Sequence, residues 1–135
     1  MSREMDMAAF PHGQKPGSLE LAFVGDSVYD LFVRSRLVLK AAGKVNALSK
    51  SASAVVNAGA QAKSLEKLRP LLSDEEAAIA RRAENARQTP TKNAAPLDYR
   101  KATALEAVLG YLYLTGQRER LNELLKLATE MEGTL

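Results

Sequence analysis

The chain has no cysteine and no tryptophan, a single histidine in 135 residues, and no long uninterrupted apolar run. Without cysteine there are no disulfides, no thiolate metal sites and no thiol nucleophile, in keeping with a reducing compartment. A membrane-spanning helix needs roughly 18 or more consecutive apolar residues, and no segment approaches that. The opening MSREMDMAAF also lacks the apolar stretch of a secretory leader, so the sequence reads as soluble and cytoplasmic, with no membrane partner. His12 lies among Pro11, Gly13, Pro16 and Gly17, which makes it a surface residue and leaves a histidine-based mechanism nothing to build with. Glycine-rich phosphate loops ending in Lys-Ser or Lys-Thr, HExxH and GxSxG are all missing.

What is present reads as helix. A chain of 135 residues makes one domain that buries roughly two thirds of its unfolded surface. Residues 1–17, punctuated by proline and glycine, are expected as a mobile arm, and 18–135 as a single domain. Apolar periodicity predicts a first helix from a Ser18 cap to about Leu39. A second is predicted from Ala47 to Ala62, with a packing seam of small residues at Ala47, Ser51, Ala54, Ala58 and Ala62. A short helix over Lys63 to Arg69 stops at Pro70, and Ser73 with Glu76 forms a capping box opening a helix to about Arg87. Gln88 to Leu97, QTPTKNAAPL, reads as a loop. A helix carrying Glu106 follows, closed by Gly116, and then an amphipathic one through Leu121, Leu124, Leu125 and Leu127. No segment alternates with period two, so the expected class is all-α.

Two carboxylates stand where a helix wants to be buried. In LELAFVGDSVYDLFV, Asp26 shares a face with Ala22, Tyr29 and Val33, beside a sector of Leu21, Val24, Val28, Leu31 and Phe32. In YRKATALEAVLGYLYLTG, Glu106 shares its face with Ala102, Leu109, Gly110 and Tyr113. Each acid has a glycine close by, Gly25 adjacent to Asp26 and Gly110 one turn from Glu106, although glycine costs a helix interior roughly 1 kcal/mol relative to alanine. Close packing or a site is the reading of that pairing. A charge half withdrawn from water is costly unless a cation or several donors meet it. If the helices bring the acids together, oxygen-only ligands point to a hard ion, and magnesium fits because it needs few carboxylates. The plainer alternative is that each acid is satisfied separately by Arg34, Arg100 or Lys101.

Positive charge is concentrated. Between Arg81 and Lys101 lie six basic residues (Arg81, Arg82, Arg87, Lys92, Arg100, Lys101) and two acidic ones (Glu84, Asp98), a local surplus of +4 in a chain whose net charge is +3. Such a stretch suits a polyanion, since phosphate contacts are the usual source of nucleic-acid affinity; taken alone it would serve equally as a solvated basic loop.

LELAFVGDSVYD resembles the signature segment of ribonuclease III endonuclease domains, and LEAVLGYLYL resembles their second acidic segment. GDSVYDLFVR, RRAENAR, TPTKN and YRKATALEAVLGYLYL, in that order, are most similar to the Mini-ribonuclease III branch, which has no double-stranded RNA-binding domain; the resemblance covers about Ser18 to Ala128. It implies an all-α fold of the ribonuclease III endonuclease type and a homodimer. The implied activity is magnesium-dependent endonuclease cleavage of double-stranded RNA at the ends of the 23S ribosomal RNA precursor, with Asp26 and Glu106 as the catalytic, metal-linked acids. Longer family members carry further acids where this chain has Leu19, Ala22 and Thr103, losses that look typical of the Mini branch and leave fewer protein carboxylates for the metal. Glu20 and Asp30 project away from the face of Asp26 or one turn along it, and Asp30 is assigned to a solvated face or an ion pair.

Duplex RNA is read through shape, phosphates and 2′-hydroxyls, and with no separate binding module this domain must supply those contacts. The candidates are Arg81, Arg82, Arg87, Lys92, Asn93, Arg100 and Lys101, with Thr89 and Thr91 as further donors. A homodimer would set two sites against strands of opposite polarity, and Phe23, pointing away from the Leu21, Val24 and Val28 sector, is assigned to the partner subunit or else to packing under the arm. Two other classes compete: a non-catalytic RNA-binding or scaffold protein, which has no use for acids beside a phosphate backbone, and a helical dimerisation module, which would have no preference for duplex RNA. The sequence is silent on a ribosomal-protein cofactor.

Overall fold

The computed structural model describes residues 16–40, 43–86 and 95–130. These residues form α1 (Ser18–Lys40), α2 (Val45–Val55), α3 (Ala58–Leu68), a 3-10 turn (Arg69–Leu71), α4 (Asp74–Glu84), α5 (Pro96–Leu114) and α6 (Arg118–Glu130). The all-α expectation holds. The N-terminal arm up to residue 15, and most of the basic loop with Arg87, Thr89, Thr91, Lys92 and Asn93, lie outside the described residues.

α5 is the central element. Ala102, Thr103, Ala104, Leu105 and every residue from Ala107 to Leu112 are buried, so the helix is enclosed on all sides, as a helix apolar around its circumference must be. α1, α3 and α4 surround it, and α6 closes against α3 and α5. The core includes Tyr29 and Val33 from α1, Leu65 and Leu68 from α3, Ile79 and Ala83 from α4, Leu105, Leu109 and Leu112 from α5, and Leu124 and Ala128 from α6.

Local signals account for most of the boundaries, with three corrections. The N-cap of α1 is Gly17 rather than Ser18: Leu21 N–H donates to the Gly17 carbonyl at 2.9 Å, and Gly17 N–H donates to Glu20 Oε1 at 2.7 Å. The helix expected from Ala47 to Ala62 is two helices, because Asn57 ends one and starts the next. Its side chain donates to the carbonyls of Ser53 and Ala54 at 3.0 Å and accepts from Ala60 N–H at 2.9 Å. The small-residue seam divides accordingly: Ala47, Ser51 and Ala54 are exposed, while Ala52 and Val55 face the core. The segment read as a separate helix at Lys63 is the continuation of α3, and Pro70 sits in the 3-10 turn. The Ser73–Glu76 capping box is present with both of its hydrogen bonds, Pro96 occupies the first turn of α5, and Gly116 takes the positive φ, 73°, that releases the chain toward α6.

Candidate active site

α1 and α5 touch backbone to backbone. A Cβ on Gly25 would fall on the carbonyl of Glu106, and a Cβ on Gly110 would fall on the carbonyl of Leu21. Leu21 meets Gly110 while Gly25 meets Glu106, so the helices run antiparallel, and only hydrogen at both positions permits the approach. Asp26, the residue after the Gly25 contact, is thereby carried to the level of Glu106, and the two carboxyl groups come within hydrogen-bonding reach. Asp26 is otherwise open to solvent, whereas Glu106 is partly enclosed.

The third member of the site comes from α3. Gln61 Nε2 donates to Glu106 Oε2 at 3.2 Å, and Gln61 is itself buried, 4% exposed. The sequence pattern alone does not mark this glutamine as part of the site. Its only signal was a long polar side chain in a run of small residues, NAGAQA, and nothing local links it to an acid 45 positions away.

Glu106 is a strained carboxylate. Burial, first, then the neighbouring negative charge of Asp26 and the hydrogen bond shared with it push its pKa up to about 8, against which the Gln61 amide works. Among the described residues no ion pair reaches it. The ion pairs there engage other acids: Arg34 takes Asp30 at 3.0 Å, as the sequence reading allowed, and Lys101 takes Glu66 at 3.1 Å. Arg69 joins Glu66 at 2.8 Å to Glu84 at 2.6 Å, and Arg120 holds the capping-box Glu76 at 2.8 Å. Of Arg34, Arg100 and Lys101, the first and last are therefore paired with acids outside the site, and Arg100 is exposed.

The pair fits a hard divalent ion in its donor chemistry: two carboxylates meet at a partly open edge, with mutual repulsion that a cation would relieve. No group of three or more potential ligands from His, Cys, Asp and Glu exists among the described residues. Asp98, the next acid along α5, is near Gly59 at the start of α3 rather than at the pair. Thr103 Oγ1 is turned back to the Tyr99 carbonyl at 2.9 Å.

Among the described residues, the basic candidates flank this site along α5. Arg81 and Arg82 are exposed in the last turn of α4, where Arg82 lines a cleft with Pro16, Leu21 and Tyr111. Arg100 lies before Glu106 on α5 and Tyr111 beyond it, an axial separation of about 16 Å at 1.5 Å per residue.

Residues 19–117 match the Ribonuclease III domain family, a span that contains the glycine crossing, both acids and Gln61. The chain belongs to that family, in its Mini-ribonuclease 3 branch. It is 46% identical to Mini-ribonuclease 3 of Brevibacillus brevis over 111 residues, covering 82% of this chain and 83% of the relative. Mini-ribonuclease 3 of Thermoanaerobacter sp. is 43% identical over 114 residues, covering 84% and 80%. A crystal structure of a Fusobacterium nucleatum protein superposes with a TM-score of 0.79 at 32% identity, covering 86% of this chain and 93% of that one. The helical architecture is therefore that of a ribonuclease III endonuclease domain, and the protein is a ribonuclease III-type endoribonuclease whose substrate is RNA. No helix among the described residues is long and apolar enough to cross a membrane.

Proposed function

We propose that this endoribonuclease cleaves double-stranded RNA with magnesium held by Asp26 and Glu106, acts as a homodimer in the cytoplasm, and matures the ends of the 23S ribosomal RNA precursor. The observation that carries the reading is the convergence of two carboxylates across the Gly25–Glu106 backbone contact, with no ion pair among the described residues reaching either. A purely structural pair of acids is ordinarily met by a lysine or arginine, as Glu66, Glu84 and Glu76 are among the described residues. A scaffold that only bound RNA would gain nothing from negative charge facing phosphates.

The chain's own contributions follow from the geometry. Asp26 and Glu106 offer oxygen ligands at an open edge, the α1–α5 crossing fixes their spacing, and Gln61 orients one oxygen of Glu106. The chemistry that bound magnesium supplies is Lewis-acid activation of water near neutral pH and stabilisation of charge developing on the phosphate. This explains how a chain whose one histidine lies at position 12 can hydrolyse a phosphodiester without an imidazole base. Arg81, Arg82 and Arg100, on either side of the acids, together with Arg87, Lys92 and Asn93 of the loop and Lys101, are the proposed contacts to duplex backbone.

The dimer reading rests on an apolar groove. Phe23 is 82% exposed and Leu31 68% exposed on α1, and with Val28, Phe32, Tyr113, Leu121 and others they border a groove of about 580 Å³ between α1 and α6. An aromatic ring left that open on the helix that bears Asp26 is the kind of surface a second copy covers.

The test is incubation of the purified protein with a long RNA duplex, with and without magnesium. Cleavage of the duplex only when magnesium is present is expected. Equal cleavage in excess chelator would refute the metal reading, and preference for single strands would refute the substrate.

A further inference from the structure

α3 sends two buried polar side chains inward. Ser64 Oγ donates to the Ala128 carbonyl at 3.1 Å and ties α3 to α6, a structural link. Gln61 instead ends at Glu106. Packing alone does not explain an amide there: leucine or methionine would fill a similar volume with no polar atom to satisfy, and a buried hydrogen-bonded pair contributes little net stability over apolar groups of the same shape. Charge does not explain it either. A carboxylate at position 61 would add a third negative charge and no donor, whereas a lysine or arginine would itself be the cation the acids lack. What a neutral amide supplies is direction. The terminal torsion of a glutamate is broad and nearly two-fold, so an untethered Glu106 carboxyl would turn freely at the open edge.

We propose that Gln61 is a positioning residue: its amide pins Glu106 Oε2 from the buried side, so that the other Glu106 oxygen and the Asp26 carboxylate present a fixed two-carboxylate face to a divalent cation. This rests on the acid pair being the metal site. Partners that orient a metal ligand typically set affinity or activity by 10–100-fold, and that range is the effect expected here.

The experiment compares Gln61→Leu, Gln61→Asn and Glu106→Gln, and the Gln61→Leu/Glu106→Gln double variant, with the parent. Gln61→Asn keeps an amide but withdraws it by one methylene, and serves if the leucine variant fails to fold. Manganese binding to the RNA-free protein, by calorimetry or electron paramagnetic resonance, is the first readout; kcat and KM on duplex RNA are the second, and thermal unfolding in chelator reports the fold. Both Gln61 variants are expected to fold, to bind manganese about 10–100-fold more weakly, and to lose kcat with KM for RNA within about twofold, excess metal restoring part of the loss. In the Glu106→Gln background, Gln61→Leu is expected to change manganese binding no further. Folded Gln61 variants that bind manganese within about twofold of the parent, while Glu106→Gln loses it, would overturn the positioning role and leave the acid pair standing. If Glu106→Gln also binds manganese like the parent, the acid-pair reading fails first and the role of Gln61 with it.

Discussion

At Glu106 three influences act on one carboxyl: the wall that buries it, the Asp26 charge across the helix crossing, and the Gln61 amide. The first two outweigh the third, so the folded protein holds a proton up to about pH 8 that the unfolded chain gives up near 4.5. The sign of the linkage follows: between those values the native state binds more protons than the unfolded state, and stability falls as pH rises. The stabilisation is complete below about pH 4.5 and gone above about pH 8. In chelator, Tm of the parent should therefore decline more steeply from pH 5 to pH 8 than Tm of Glu106→Gln, which has no proton to lose. Parallel curves would show that Glu106 is not so strained. Magnesium added at pH 8 should raise Tm of the parent but not of Glu106→Gln, by about 2.7 kcal/mol of stability at a hundredfold excess over Kd.

The pairing of α1 with α5 is set by two glycines, and it sets the site. Gly110→Ala would gain roughly 1 kcal/mol of helix propensity but place a methyl group on the Leu21 carbonyl, a backbone atom that cannot swing aside. Overpacking costs about 1–3 kcal/mol, toward the upper end where nothing yields, so against that gain a net loss of about 1–2 kcal/mol is expected from urea unfolding, with cleavage reduced beyond what the lost stability explains. An unchanged midpoint and full activity would show that the crossing is not as tight as its geometry states. Much of this element-level order was legible from the chain. Gly25 and Gly110 announced a close approach beside two odd acids, Ser73 and Glu76 announced a helix start, and Gly116 an end. Asn57 was not legible as a break, because its local hydrogen bonds compete with an alanine-rich sequence that favours a continuous helix. Gln61 was not legible as part of the site, because its partner is supplied by tertiary packing of α3 on α5. The pairing of Lys101 with Glu66 was hidden for the same reason.

On the scale of the whole molecule, one copy presents one acid pair, while the two strands of a duplex run in opposite directions. A two-fold dimer closing the groove beside Phe23 and Leu31 would provide two oppositely directed sites. Phe23→Glu, at a position 82% exposed in the single chain, should leave the monomer folded and shift sedimentation at micromolar concentration from dimer to monomer, with paired cuts replaced by nicks. A Phe23→Glu protein that stays dimeric would place the interface elsewhere. The central claim, that Asp26 and Glu106 form the centre that cuts, is tested most directly by single-turnover cleavage of a long RNA duplex in magnesium by Asp26→Asn, with duplex binding measured on the same preparation. Binding within about threefold of the parent and cleavage reduced by at least about a hundredfold is the expected result, since the change preserves volume and removes only the charge proposed to hold the metal. Near-parental cleavage by the folded, RNA-binding variant would contradict the account.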